Sequence, residues 1–294
     1  YKDHTSNTIY VAFKVKETDK EYLKDTNVII WTTTPWTIPA NKALAFNSNI
    51  DYSILEIENL DYFKEKRIVV AKNLVKEITD ACEIKNYKEI KTFKGSEFKK
   101  TICSHPFVKL KFDYNVQMLD AQFVNLEQGT GIVHCAPSHG PDDFNLCLKN
   151  NIPSSYTVNN AGLYTNEIPF FENTHIFKAD PLVIEKLKEQ SKLLKNGKLH
   201  HSYPHSWRSK APLIYRATPQ WFISMETNSL RKKAIKAIND TNFYPSKGKE
   251  RLMSMIEDRP DWCVSRQRVW GVPLPLSLIH ISEPTRPERI SYAG

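Results

Sequence analysis

The 294-residue sequence predicts an α+β chain, its strands forming a β-barrel-like core with helices around it, not a doubly wound parallel sheet. Two observations carry this. Short runs rich in Val, Ile, Phe and Tyr recur through the first two-thirds. Helical patterns fall between them without a regular βαβ rhythm. The composition, 40% hydrophobic and 25% charged, is that of a water-soluble globular protein large enough for two domains.

The predicted strands are Thr8–Val15, Val28–Thr33, Ser53–Ile57, Ile68–Val70 and Gln122–Val124. Asn73–Cys82 and Pro141–Lys149 are predicted helices. The clearest helix opens at Asp180-Pro181, where Asp suits the N-cap and Pro the first helical position; Val183, Leu187 and Leu194 then give it one apolar face. Composition shifts near residue 200 to a stretch of His, Pro, aromatic and basic residues, followed by predicted helices at Ser229–Asn239 and Lys247–Glu257. These changes divide the chain into 1–203, 204–276 and 277–294. The last piece, Ser277–Gly294, has neither strand alternation nor helical spacing and resembles translated vector sequence, so it is set apart from the fold.

Several classes are excluded. No uncharged apolar run approaches the roughly 18–20 residues that span a bilayer, so no membrane association is expected. The start, Tyr1-Lys2-Asp3, lacks a basic-then-apolar leader, and the expected compartment is the cytoplasm. Five cysteines without a Cys-x-x-Cys argue for reduced thiols over a disulfide or zinc scaffold. The net charge of +8 is uneven: residues 1–199 hold 26 Lys and Arg against 25 Asp and Glu, whereas residues 200–294 hold 15 against 8. A basic last third fits a polyanionic partner as well as it fits a solvated face.

Three blocks carry chemistry. In Gly129-Thr130-Gly131-Ile132-Val133-His134, paired glycines permit a tight backbone before a short strand. The block runs on to His139-Gly140-Pro141-Asp142-Asp143, where Gly140 and Pro141 read as the N-cap and first residue of a helix. Asp142 and Asp143 then fall in its first turn, where the helix dipole favours an ionised carboxylate able to hold a cationic amine. The alternative is that both only cap the helix. His134 and His139 are poorly spaced for zinc on a helix, and no metal site is expected.

The second block, Trp31-Thr32-Thr33-Thr34-Pro35-Trp36-Thr37-Ile38-Pro39-Ala40-Asn41, places three hydroxyls at a strand end, with methyl groups to narrow a pocket. The third, Asp261 to Pro275, interleaves arginines with tryptophans and suits a phosphate-rich or stacked ligand.

Taken together, and with Ser202-Tyr203-Pro204-His205-Ser206-Trp207-Arg208 between them, these blocks resemble the isoleucyl-tRNA synthetases in order and spacing over about residues 1–275. These are class I enzymes with an editing domain inserted into the nucleotide-binding domain. The family usually has Cys where Ser206 stands. Valyl- and leucyl-tRNA synthetases are the close competitors, but the valine enzymes usually carry Lys at the place of His134 and His-Asp-Pro for His139-Gly140-Pro141.

The resemblance implies a β-barrel-like editing domain over 1–203, then part of a Rossmann-type catalytic domain over 204–276. It implies hydrolysis of valine wrongly esterified to tRNA(Ile). One methylene is worth only about 1–3 kcal/mol to a binding pocket, a limit for which the isoleucine enzymes are themselves the standard illustration. By the same resemblance, Asp143 holds the α-ammonium. Thr32, Thr33 and Thr34 line the pocket and orient the terminal adenosine, the ester or water, and His134 helps wall off larger side chains. Asn41 contacts the substrate or braces the threonines. No nucleophile or metal is implied, and no cofactor for this portion. The parent is implied to be a monomeric ligase using ATP with Mg2+, through His-Ile-Gly-His-like and Lys-Met-Ser-Lys-Ser-like motifs that this sequence lacks. An RNA-binding module without turnover is the rival reading.

Overall fold

The computed structural model describes residues 1–58, 60, 62–267 and 271–272. It divides into two compact units, Tyr1–Ala217 and Thr218–Gly294. Residues 204–217 therefore lie with the first unit.

In the first unit the order is β1 (Lys2–Glu17), β2 (Asn27–Thr32), β3 (Ala43–Phe46), β4 (Asp51–Ile57), β5 (Arg67–Ala71), α1 (Val75–Ala81) and β6 (Tyr87–Lys94). It continues through β7 (Ile102–Ser104), β8 (Asn115–Asp120), β9 (Val133–Cys135), α2 (Pro141–Lys149), α3 (Ala179–Glu189) and β10 (Leu193–Tyr203). The strands form one ten-stranded mixed sheet in the order β6-β4-β5-β2-β1-β7-β8-β3-β9, with β10 also on β1. β1 is the spine. Its Thr8-Ile-Tyr-Val-Ala-Phe run buries residues on both faces, with Ile9, Val11, Ala12 and Phe13 fully enclosed. β-branched and aromatic residues suit such a central strand.

The α+β class holds, but the barrel does not close: among the described residues no ladder joins β6 to β9, the two ends of the order. Two pairs are parallel, β2 with β5 and β3 with β8, and the rest are antiparallel. Two further expectations are corrected. Gln122–Val124 is a turn and not a strand, because Asp120 ends β8 by accepting from the Ser48 backbone and hydroxyl, and the Val124 N–H turns back to the Ala121 carbonyl. The third helix begins at Ala179, run into by the 3-10 turn Ile176–Lys178, so Asp180 lies inside the first turn and is not the N-cap. Leu194 belongs to β10; the buried face of α3 is Ala179, Val183 and Leu187.

The second unit holds β11 (Phe222–Ile223), α4 (Leu230–Asp240), α5 (Lys247–Glu257) and β12 (Trp262–Cys263), with β11 and β12 paired antiparallel. The Arg231 guanidinium fastens the helix pair, donating to the carbonyls of Ile256, Glu257 and Arg259 at 2.6–2.7 Å. A cation there meets the negative end of α5. Of the third sequence block, Ser265 accepts from the Trp221 N–H at 2.8 Å and Arg266 donates to nearby carbonyls. Arg268, Trp270 and Ser277–Gly294 lie outside the described residues.

Candidate functional site: a threonine strand end, a buried histidine and a helix-borne carboxylate

The site forms where two chain segments meet. β2 ends at Thr32 and runs through Thr33 and Thr34 into the 3-10 helix Pro35–Ala40. Opposite, β3 pairs with β9 in a register that sets Leu44 against His134 and Ala43 against Cys135, and the turn after β9 delivers α2. As expected, Gly140 is the extended N-cap, Pro141 the first helical residue, and Asp142 and Asp143 lie in the first turn.

Between these segments lies a cavity of about 180 Å³, lined by Thr32, Thr34, Thr37, His134, Asp143 and four neighbours. That is about six water volumes, room for a small side chain and not for a nucleotide. Thr33 lies elsewhere: it borders an adjoining cavity of about 290 Å³ under the Gly129–Gly131 loop, which also touches Thr32. Asn41 is fully buried and lines neither.

The hydrogen bonds fix the polarity of the site. The Thr37 hydroxyl donates to the Thr34 carbonyl at 2.9 Å, so its 2.8 Å contact with His134 must be donated by Nε2–H of the ring. His134 Nδ1 is then the acceptor, and it receives the Asn41 Nδ2–H at 3.0 Å. The Ala43 and Cys135 carbonyls, 2.8 and 3.4 Å from the same nitrogen, settle which end of the amide is which. Asn41 Oδ1 is left buried with no partner among the described residues. With Thr37 already donating, the Thr34 hydroxyl 3.2 Å away donates to it. Thr32 in turn donates to Thr34 at 3.2 Å while accepting the Thr34 N–H. Thr32 and Thr34 therefore keep oxygen lone pairs for the cavity.

Burial drives the His134 pKa down to about 3, with a smaller contribution from His139, so the ring is neutral. His139 is likewise depressed to about 4 by burial. Its Nδ1–H donates to the Tyr215 carbonyl and its Nε2 accepts the Thr157 hydroxyl, both at 2.9 Å. All four ring nitrogens are thus engaged within the protein. Among the described residues no group of three or more His, Cys, Asp or Glu is placed to hold a metal.

Asp143 differs from expectation in its electrostatics. Its Oδ2 accepts the Ala136 N–H at 2.8 Å, closing the turn between β9 and α2. Burial nevertheless outweighs this bond and raises its pKa to about 6, with Asp142 adding in the same direction. The helix dipole does not hold it low. It is the residue of the cavity poised to change charge near neutrality.

Thr37 stands in the second sequence block without an assigned role, although it is the hinge of the network. Its only signal was position: three residues after Thr34 in a 3-10 turn, it sits back over the threonine strand end.

The first unit is thus an α+β fold that sets a small pocket, with a carboxylate in its lining, beside a threonine strand end. The structure described as the crystal structure of GlLeuRS-CP1 shares this fold with a TM-score of 0.50 at 11% identity, covering 65% of this chain and 99% of that one. The chain belongs to the family described as tRNA synthetases class I (I, L, M and V), whose pattern matches residues 9–288. It is 68% identical over 276 residues to the isoleucine–tRNA ligase of Pelagibacter ubique (strain HTCC1062), covering 94% of this chain and 30% of that protein. It is 43% identical over 298 residues to the isoleucine–tRNA ligase of Francisella tularensis subsp. tularensis (strain WY96-3418), covering 99% and 31%. The chain thus spans about a third of the length of these relatives. No helix among the described residues is long and apolar enough to cross a membrane.

Proposed function

We propose that this chain hydrolyses valine wrongly esterified to tRNA(Ile), as the editing part of a monomeric, cytoplasmic isoleucine–tRNA ligase. Residues 1–203 form the editing domain and 204–276 return towards the catalytic domain. The observation that carries the reading is that Asp143 lines the same cavity of about 180 Å³ as Thr32, Thr34 and Thr37.

Asp143, ionised above its pKa of about 6, pairs with the α-ammonium of the aminoacyl ester. This sets the ester carbonyl against Thr32 and Thr34. Their free lone pairs accept a hydrogen from water, aiming the water oxygen at the carbonyl carbon. Water adds there, the bond from carbonyl carbon to ribose oxygen breaks, and the departing ribose oxygen takes up the proton that the attacking water loses. His134 forms the back wall as a rigid, neutral ring and takes no proton, since both nitrogens are engaged. Asn41 braces it. Rate enhancement comes from positioning.

The parent is an ATP-dependent ligase, with Mg2+ as the expected companion of ATP. The described residues of the second unit give a helix pair and a two-stranded ribbon, with no glycine-rich turn ahead of a helix to take phosphates.

Deacylation of valyl- and isoleucyl-tRNA(Ile) by the chain tests the reading. Selective release of valine, unchanged by chelator, is expected. Binding without turnover makes the chain an RNA-binding module, and chelator-sensitive turnover a metallohydrolase.

A further inference from the structure

A third and larger cavity, about 450 Å³, lies on the far side of Thr33 and Thr34. It belongs wholly to the first unit. Aromatic rings border it from separate segments: Trp36 from the 3-10 helix, Phe177 from the turn before α3, and His4 and Tyr203 from the paired ends of β1 and β10. No lysine or arginine lines it. Its charged group is Asp180, whose carboxylate accepts the Trp36 N–H at 3.1 Å and the Asn7 amide at 3.0 Å. The Trp36 carbonyl accepts the Tyr164 hydroxyl, so the residue is held at both backbone groups. The ring of Trp36 meets His139, a wall of the small cavity, edge-on at 4.8 Å.

Rings around a slot without cations suit a nucleobase and not a phosphate. A carboxylate with spare lone pairs favours a base bearing an exocyclic amine. The slot holds more than the small cavity, and 450 Å³ falls in the ordinary range for ligand pockets. The threonine strand end borders all three cavities, Thr34 being shared with the small one and Thr33 with the one under the glycine loop, so a ligand in it would neighbour the ester-bearing nucleotide.

Resting on the hydrolytic reading above, we infer that this cavity is a second nucleobase subsite, taking the unpaired, amine-bearing base that precedes the esterified terminal nucleotide. Phe177, 53% exposed, is its stacking face, and Asp180 reads the amine.

The test uses the full 294-residue chain and esters of one adenosine. Valyl-adenosine, valyl-(cytidylyl-adenosine) and valyl-(uridylyl-adenosine) are compared by kcat/KM. The cytidylyl ester is expected to exceed the mononucleoside ester by at least about tenfold, the scale of one stacked base. Phe177→Ala should abolish that preference while leaving valyl-adenosine turnover as it was. Asp180→Asn should erase the preference for cytidylyl over uridylyl.

Equal turnover of the three esters, or a preference that survives both substitutions, would overturn the subsite and leave the hydrolytic reading standing. If none is hydrolysed, the hydrolytic reading fails, and equilibrium dialysis of unesterified cytidylyl-adenosine against adenosine decides the subsite. Tighter binding of the dinucleotide that Phe177→Ala removes sustains it; equal binding overturns it.

Discussion

His134 Nε2 and Thr37 Oγ1 lie 2.8 Å apart, and because the Thr37 hydroxyl is committed to the Thr34 carbonyl, the histidine is the donor. One methyl-and-hydroxyl side chain therefore holds both the back wall of the cavity and the threonine strand end. Thr37→Val keeps the shape and removes the hydroxyl, leaving a ring N–H buried without an acceptor. The expected cost is about 1–3 kcal/mol of stability, read by urea denaturation. Valyl-tRNA deacylation should fall roughly ten- to a hundredfold as the threonines lose their alignment. Thr37→Ser should restore both.

If the chain hydrolyses valyl-tRNA as proposed, turnover should depend most on Asp143. Asn retains size and an acceptor for the Ala136 N–H but loses the charge that meets the ammonium. Truncating such a charged partner costs on the order of 2–5 kcal/mol, so Asp143→Asn should slow valyl-tRNA deacylation at least about thirtyfold. Asp142, exposed on the same helix turn, should matter only as a helix-dipole contact, about 0.3–1 kcal/mol, or less than about fivefold. Equal losses in the two variants would place the amine elsewhere.

The positions of these residues were legible in the sequence to different degrees. Gly140-Pro141-Asp142-Asp143 announces its own helix start through local rules, and the helix it predicts, Pro141–Lys149, is the one observed. The charge state of Asp143 was not legible, because burial is a property of the assembled pocket and it outweighs the helix dipole. Thr37 and Asn41 gain their roles from a histidine more than ninety residues away. That the barrel-like sheet stays open was not legible, because strand patterns do not say whether the outermost strands meet. The start of α3 was misread for the opposite reason. Asp180 is a good N-cap by type, but its carboxylate is drawn to Trp36 and Asn7.

The Gly129–Gly131 loop offers a test of backbone requirements. Gly131 has φ +74°, and a Cβ there would stand 2.4 Å from the Ala71 Cβ, while its carbonyl accepts the Tyr52 hydroxyl at 2.8 Å. Gly131→Ala therefore combines a left-handed penalty of about 1–2 kcal/mol with overpacking of about 1–3 kcal/mol. Gly129, at φ +89°, would meet only ordinary contacts with Trp31 at 3.7 Å, so Gly129→Ala should incur the backbone penalty alone. Denaturation midpoints should rank wild type, Gly129→Ala, then Gly131→Ala.

The raised pKa of Asp143 links activity and stability to pH with opposite signs. Amine binding needs the carboxylate ionised, so kcat/KM for valyl-tRNA, corrected for spontaneous hydrolysis, should rise with pH through a midpoint near 6. It should fall again once the substrate amine deprotonates, α-amines titrating at about 7.7–8.0. Stability runs the other way. The folded carboxyl binds its proton more tightly than the unfolded one, whose ordinary value is 3.8, so this residue's contribution declines as pH rises from about 4 to about 6 and is flat above. Asp143→Asn removes that cost. Near pH 7 the variant should be more stable than wild type by on the order of 1–2 kcal/mol, discounted for partial exposure, and at pH 4 the difference should vanish. A variant that is inactive yet more stable at neutral pH, and only there, is the signature of a carboxylate kept in place for binding. A variant less stable than wild type across the range would instead make Asp143 a structural cap of α2.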